Sequence, residues 1–145
     1  MATVLDVSKY ILEKLGEMTT LKLQKLVYYC QAWSLAWDGI PLFNEEFQAW
    51  ANGPVCAELF AIHKGKFVID QSAFKERTQY NFENIQIETI NNVLAYYGDK
   101  KPIWLSKSTQ QERPWAETRI GIPVGEHSDR IIEKSLMQEY YGGLT

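Results

Sequence analysis

The sequence predicts a mainly α-helical fold: a compact multi-helix domain around a central buried helix, with short β segments. Apolar residues recur at helical spacing along much of the chain, one segment is apolar nearly all round, and glycine- and proline-containing turns separate the helices. The chain has 145 residues, and domains contain roughly 100–200, so we predict one domain over 1–145. A hydrophobic content of 46% excludes intrinsic disorder.

The first two helices have the clearest signals. Thr3 and Asp6 have the spacing of an N-terminal cap pair, apolar residues follow at helical spacing, and Gly16 ends this first helix. The second helix covers about residues 20–37 and ends before Gly39. Apolar and aromatic side chains cover nearly its whole circumference, which is typical of a helix buried on several sides. We therefore expect the second helix to be the centre of the fold.

The middle of the chain predicts shorter elements. Residues 47–50 alternate in polarity, and 67–69 are apolar, so each predicts a short strand or extended segment. Gly53 suits a turn, and Pro54 is placed at the first position of a helix that continues to about His63.

The second half predicts a loop-rich region followed by four helical segments. Isolated aromatic residues among polar ones make 66–82 the most loop-rich part of the chain. Helical spacing then returns over about 82–97, 102–110, 114–119 and 133–141.

Charge and composition exclude several classes of protein. With 15 basic and 18 acidic residues the net charge is -3, which argues against a nucleic-acid-binding domain that would use Lys22 and Lys25. No apolar stretch approaches the roughly 20 residues of a membrane helix, and the N-terminus lacks a signal-peptide pattern. Cys30 and Cys56 lie in apolar surroundings, which indicates buried thiols in a reducing compartment. We expect a cytoplasmic protein without a membrane partner.

Catalytic and metal-binding patterns are absent from the sequence. His63 and His127 lie far apart and neither has a metal-ligand spacing. The glycine-rich phosphate-binding and nucleophile-elbow motifs do not occur. We therefore predict no catalytic residue, no metal and no cofactor.

Three separated motifs resemble those of one protein family. An L-x-L-Q-K-L-x-Y-Y-x-Q-x-W pattern is matched by Leu21, Leu23, Gln24, Lys25, Leu26, Tyr28, Tyr29, Gln31 and Trp33. P-L-F and A-W-x-x-G-P-V patterns are matched by Pro41, Leu42, Phe43, Ala49, Trp50, Gly53, Pro54 and Val55. A later L-S-x-x-T-H-x-E-x-P-W pattern is matched by Leu105, Ser106, Thr109, Glu112, Pro114 and Trp115. Together they resemble the Panacea domain family, the SocA-like antitoxins or GepA-like phage-associated proteins.

The resemblance implies an antitoxin that binds and neutralises a cognate protein toxin in a bacterial or prophage toxin–antitoxin system. Some relatives inhibit the toxin directly, and an adaptor role would add a host protease as a partner. The family often has histidine after Thr109, where this chain has Gln110. An amide forms hydrogen bonds but does not transfer protons at neutral pH, which favours binding over catalysis.

The motif residues are the candidate site, in structural or binding roles. They are Gln24, Lys25, Tyr29, Trp33, Trp50, Gly53, Pro54, Thr109, Glu112, Pro114 and Trp115. Aromatic and arginine side chains outside the core stripes are candidate partner contacts, although loop aromatics also fill cores; these are Phe74, Tyr80 and Arg113. The alternative is a small-ligand-binding or enzymatic domain with one pocket near Gln24, Trp50, Thr109 and Glu112.

Overall fold

A computed structural model describes residues 1–76 and 80–144, and most of these residues are helical. The α-helices in this part of the chain are α1 (Val4–Leu15), α2 (Thr20–Asp38), α3 (Ala57–His63), α4 (Asn84–Tyr97), α5 (Pro102–Gln110), α6 (Arg113–Thr118) and α7 (Lys134–Gly142). The strands are β1 (Met18–Thr19), β2 (Phe47–Trp50), β3 (Gly53–Val55), β4 (Val68–Ile69) and β5 (Ile131–Ile132). The prediction of a mainly α fold with short β segments is confirmed.

Local capping fixes the start of α1. The Thr3 side chain accepts a hydrogen bond from the Asp6 backbone N–H at 3.3 Å, and the Asp6 carboxylate accepts from the Thr3 backbone N–H at 2.8 Å. This reciprocal pair is the cap that the spacing of the two residues predicts. Gly16 follows the helix with φ +83°, a conformation that favours glycine.

Helix α2 is the centre of the fold, as predicted. Twelve of its 19 residues are buried, and it packs against α1, α4, α5, α7 and β3. Thr19 caps its N-terminus by accepting from the Lys22 N–H at 3.1 Å, and Gly39 ends it in the left-handed conformation. Because α2 is enclosed on all sides over 23–32, its polar side chains there need partners inside the protein.

Two small antiparallel sheets flank the helices. The larger has the order β3-β2-β5, with Trp50 opposite Gly53 and Phe47 opposite Ile132. In the smaller sheet β1 pairs with β4. Phe47 and Ala49 are buried, whereas the residues between and after them are only partly buried, so β2 shows the predicted alternation.

The helix predicted to begin at Pro54 begins instead at Ala57. Pro54 lies in β3, at the edge of the larger sheet, where its missing N–H costs no ladder hydrogen bond. The backbone N–H of Cys56 donates to the Gln24 side chain at 2.9 Å. This contact holds the chain in an extended conformation up to the N-cap of α3.

The region 66–82, which was predicted to be rich in loops, contains two short elements in its described part. Residues 68 and 69 form β4, and a short 3₁₀ helix covers Gln71–Phe74. Residues 77–79 of this region lie outside the described residues. Within the two described ranges, no helix combines the length and hydrophobicity needed to cross a membrane.

Candidate functional site

Side chains from three helical regions donate hydrogen bonds to the backbone of the β2–β3 hairpin, defined here as residues 47–56. The hairpin carbonyls that accept are those of Ala49, Trp50, Asn52, Pro54 and Cys56. Their donors, in the same order, are Arg119, Trp115, Ser106, Lys25 and Gln24. Backbone carbonyls inside a protein need such partners, so these donors fix the position of the hairpin.

Helix α2 contributes two of these donors from its buried surface. The Gln24 amide accepts from the Cys56 N–H at 2.9 Å and donates to the Cys56 carbonyl at 3.2 Å. Lys25 donates from Nζ to the Pro54 carbonyl at 3.0 Å and is fully buried. Because this ammonium has been removed from water, its pKa is lowered to about 7.

Residues in and after α6 donate hydrogen bonds to the carbonyls of β2. The Trp115 indole donates to the Trp50 carbonyl at 2.8 Å. Arg119, which is 6% exposed, donates to the Ala49 carbonyl at 2.9 Å and to the Glu126 carbonyl at 2.7 Å. Its guanidinium also lies 5.2 Å from the centre of the Trp115 ring, a cation–π distance. Through Trp115, the third motif therefore contacts the part of the second motif that forms the hairpin.

Gly53 is the point where the hairpin approaches the helices most closely. Its φ is +118°, and a Cβ there would lie 2.8 Å from Lys25 Cε and 2.9 Å from Thr109 Oγ1. Both neighbours are held in place, because Lys25 donates to a carbonyl and Thr109 donates to the Ser106 carbonyl at 2.7 Å. The turn consequently requires glycine for its conformation and for the space above Lys25.

A cleft of about 250 Å³ opens beside the hairpin, and we call it the hairpin cleft. Gln24, Trp50, Phe60, His63 and His127 line it, among others. The Nε2 atoms of His63 and Gln24 are 3.0 Å apart, and burial lowers the pKa of His63. Within the described ranges, no group of three or more histidine, cysteine, aspartate or glutamate residues could hold a metal ion.

One turn further along α2, a network of hydroxyl groups ends at the Glu112 carboxylate. The Tyr29 and Tyr141 hydroxyls each lie 2.8 Å from Glu112 Oε1. The Tyr29 hydroxyl also lies 2.8 Å from Ser108 Oγ, and that of Tyr141 lies 3.1 Å from the Tyr28 hydroxyl. Each phenol has one proton, so donation to Oε1 leaves Ser108 and Tyr28 as donors at the outer contacts.

The protonation states fit this direction of donation. Burial raises the pKa values of Tyr29 and Tyr141, so both hydroxyls remain protonated donors at neutral pH. Burial also raises the pKa of Glu112, and the hydrogen bonds from Tyr141 and Tyr29 oppose that rise. Two donors to one oxygen stabilise the charged form of the Glu112 carboxylate.

The carboxylate lies at the edge of a second and larger cleft of about 530 Å³, which we call the aromatic cleft. Its lining residues are Trp33, Trp37, Asn92, Val93, Tyr96, Tyr97, Trp104, Ser108, Glu112 and Leu144. The Trp33 and Trp37 rings are 4.8 Å apart, and the Trp33 indole donates to the Tyr97 hydroxyl at 3.2 Å. Tyr97 stacks on Tyr29 at 4.0 Å, which connects the cleft wall to the hydroxyl network.

A family model described as antitoxin SocA-like, Panacea domain, matches residues 23–116. The chain belongs to this family. The match confirms the resemblance carried by the three motifs and extends from the second turn of α2 into α6. Neither the curated proteins nor the solved structures give a match.

The four residues expected to share one pocket in this Panacea domain are divided between two regions. Gln24 and Trp50 line the hairpin cleft, whereas Glu112 lines the aromatic cleft. Thr109 is 1% exposed, packs near Gly53 and lines neither cleft. The prediction of one shared pocket is therefore wrong, because Thr109 in the last turn of α5 packs toward the hairpin, whereas Glu112 at the N-cap of α6 lines the aromatic cleft.

The three candidate partner contacts have very different environments. Phe74 is 2% exposed and packs in the core, so it is a core side chain and is not accessible to a partner in this conformation. Tyr80 is partly buried and packs edge-to-face on Phe82 with ring centres 5.0 Å apart. Arg113 has a 53% exposed side chain and pairs with Glu117 at 2.9 Å. Of the three, Arg113 is the most accessible.

Pro114 and Gln110 lie in α6 and beside the hairpin, respectively. Pro114 is buried in the first turn of α6, where a proline needs no hydrogen-bond donor. Gln110 donates to Ser106 Oγ at 3.1 Å, and Ser106 in turn donates to the Asn52 carbonyl at 2.6 Å. The amide at 110 is thus part of the contact between α5 and the hairpin turn.

Several site residues were missed by reasoning from sequence. They are Arg119 at the hairpin, His63 and His127 in the hairpin cleft, and Trp37, Tyr96, Tyr97, Trp104 and Tyr141 around the aromatic cleft. Only the spacing of Trp33 and Trp37 gave a local signal, because residues four apart share one helix face. The other pairings join residues far apart in sequence.

Proposed function

We propose that this protein is an antitoxin that neutralises a cognate protein toxin by direct and stoichiometric contact in the bacterial cytoplasm. The observation that carries the proposal is the antitoxin SocA-like Panacea match over 23–116. The open aromatic cleft supports a binding role, because exposed aromatic surface next to polar groups is typical of protein interfaces. In this proposal the hairpin and its donors are the scaffold, and the protein performs no turnover chemistry.

The proposed toxin is encoded by a gene next to that of the antitoxin. Co-expression of the two proteins should restore growth to cells that the toxin alone arrests, and an affinity tag on one should co-purify the other. Titrating expression of the antitoxin should show that rescue needs amounts comparable to those of the toxin. A Phe67→Ala variant is the matched surface control, because this ring is 78% exposed and lies outside both clefts.

An adaptor mechanism gives a different result in the same experiment. Rescue by far less antitoxin than toxin, without a detectable equimolar complex, would contradict direct neutralisation. Under an adaptor mechanism, rescue would also be lost in a host that lacks the relevant protease, and the toxin would disappear from wild-type cells. Stable toxin levels during rescue are the expected result under direct neutralisation.

A further inference from the structure

The aromatic cleft concentrates the exposed aromatic surface of the described residues. Four aromatic side chains in the two described ranges are at least about 40% exposed: Trp37, Phe67, Tyr96 and Trp104. All except Phe67 line the aromatic cleft. Exposed rings gathered at one concave site on a protein surface mark a binding site more often than rings scattered singly.

Glu112 adds to this surface a carboxylate oxygen that has no hydrogen-bond partner among the described residues. Both hydrogen bonds that the carboxylate accepts go to Oε1, and Oε2 accepts none. In the described part of the chain, every fully buried side-chain nitrogen or oxygen has a hydrogen-bond partner. Oε2 is therefore accessible, and it can accept a hydrogen bond from a ligand in the cleft that Glu112 lines.

Aromatic ring faces combined with a carboxylate favour a cation. Ring faces are electronegative and attract ammonium and guanidinium groups, and a carboxylate forms the stronger, charge-assisted hydrogen bond with such a group. Two of the cleft rings already contact a cation of the protein itself, because Lys100 Nζ lies 5.1 Å from the centre of the Trp104 ring and 5.3 Å from that of Tyr96. A neutral apolar ligand would leave Oε2 without a partner.

Arginine fits this combination better than lysine does. Its planar guanidinium stacks on an indole face and keeps its edge N–H groups free to donate in the plane. Trp37 and Trp104, which are 45% and 41% exposed, supply such rings, and Glu112 supplies the acceptor. We propose that the aromatic cleft receives an arginine side chain of the toxin, with its guanidinium against the tryptophan rings and donating to Glu112 Oε2. The toxin as the source of this arginine rests on the proposed function.

The five tryptophans provide a direct readout that needs no toxin. Trp33, Trp37 and Trp104 line the aromatic cleft, whereas Trp50 and Trp115 lie at the hairpin. Titrating the ¹⁵N-labelled protein with N-acetyl-arginine amide should shift the three cleft indole N–H signals in a saturable way and leave the two hairpin signals in place. The citrulline analogue, which has the same shape without the charge, should cause no saturable shift. Equal shifts with citrulline, or equally tight binding of N-acetyl-lysine amide, would overturn the proposal.

A variant without the Glu112 carboxylate tests the proposed acceptor, and a second glutamate variant is its control. Glu112→Gln retains an acceptor for the two tyrosine hydroxyls and should weaken binding of N-acetyl-arginine amide about tenfold or more. Glu117→Gln removes the same charge from α6 outside the cleft and should leave that binding unchanged. If Glu112→Gln does not fold, Trp104→Ala replaces it, since that ring is 41% exposed. Unchanged arginine binding in the folded variant would overturn the proposal.

The toxin complex then separates this inference from the proposed function. Trp104→Ala and Glu112→Gln should each weaken co-purification of the toxin, and Phe67→Ala should not. A complex of unchanged affinity in both cleft variants would overturn the inference and leave the antitoxin function intact. Failure of the wild-type protein to bind the toxin, with the arginine amide still binding the cleft, would instead contradict the proposed function.

Discussion

The hairpin and the aromatic cleft use successive stretches of the same helix, and the polar groups have opposite roles in the two regions. At the hairpin, α2 uses Gln24 and Lys25 to satisfy backbone carbonyls, and both side chains are at most 2% exposed. At the cleft, α2 contributes aromatic rings, and the nearby Glu112 keeps one oxygen accessible. The polar motif residues Gln24 and Lys25 thus serve the scaffold, whereas Trp33 and Glu112 line the cleft that can bind a partner.

The difference has a thermodynamic consequence. A buried donor that satisfies a carbonyl contributes to stability, and removing it leaves a desolvated group without a partner. An exposed ring at a cleft contributes little to stability and is available for binding. Substitutions at the hairpin should therefore lower the free energy of unfolding much more than substitutions at the cleft.

The largest expected effect is at the hairpin turn, in Gly53→Ala. The positive φ and the short contacts to Lys25 and Thr109 together should lower the free energy of unfolding by about 3 kcal/mol. Gly65→Ala is the control, because Gly65 has φ +84° and no atom within 4 Å of its Cβ position. We expect about 1 kcal/mol there, from backbone strain alone. Urea denaturation measures both, and equal losses would contradict the close approach at Gly53.

The next effect is a pH dependence of the free energy of unfolding, which arises from Lys25. Folding lowers the pKa of Lys25 from 10.5 to about 7, so above pH 7 the unfolded chain binds a proton that the folded chain lacks. The free energy of unfolding should therefore rise with pH, by about 1.5 kcal/mol between pH 7 and 8.5. Above pH 9 the raised pKa values of Cys30 and Cys56 act in the opposite direction, which defines this window.

Lys25→Met isolates that contribution. The variant retains most of the buried side-chain volume and has no titrating group at 25, so its stability should rise less than that of the wild type over this range. Urea denaturation at pH 7.0, 7.75 and 8.5 measures both slopes. The same slope in both proteins would mean that the Lys25 ammonium is not desolvated.

A smaller effect is expected in the hydroxyl network beside the aromatic cleft. Tyr29→Phe and Tyr141→Phe each remove one donor to Glu112 Oε1 and should each cost about 1–2 kcal/mol. Because both act on one oxygen, the double variant should deviate from additivity. Tyr10→Phe is the control, since its hydroxyl contacts Asn91 at an exposed position and should cost about 0.5 kcal/mol or less. Additive losses would mean that the two phenols act independently.

The parts of the fold that could be predicted are those that local sequence determines. The burial of α2 follows from its apolar circumference, and the α5 bounds 102–110 match the expected range because proline starts this helix. The helix start predicted at Pro54 was wrong, because proline suits both the first turn of a helix and an edge strand. Deciding between these needed the Gln24–Cys56 contact, which joins residues 32 apart in sequence.

The site was less predictable because its two regions depend on long-range pairings. Sequence motifs indicated Gln24, Lys25 and Glu112 without indicating which groups lie opposite them. Glu112 meets Tyr141, 29 residues further on, and that tyrosine lies beyond the family match at 23–116. Phe74 was misassigned as a partner contact, because an isolated aromatic residue among polar ones resembles an interface residue in the sequence. Only the packing shows that its side chain lies in the core.

The smallest expected effect is on the stability of the Trp104→Ala variant, and this substitution tests whether the cleft is separable from the scaffold. Trp104 is 41% exposed and is not among the residues of the core cluster. Its removal should lower the free energy of unfolding by about 1 kcal/mol or less, as for other exposed side chains. Phe67→Ala gives the baseline for an exposed ring outside both clefts. A loss above about 2 kcal/mol, measured by urea denaturation, would place Trp104 in the core and remove the distinction between the two regions.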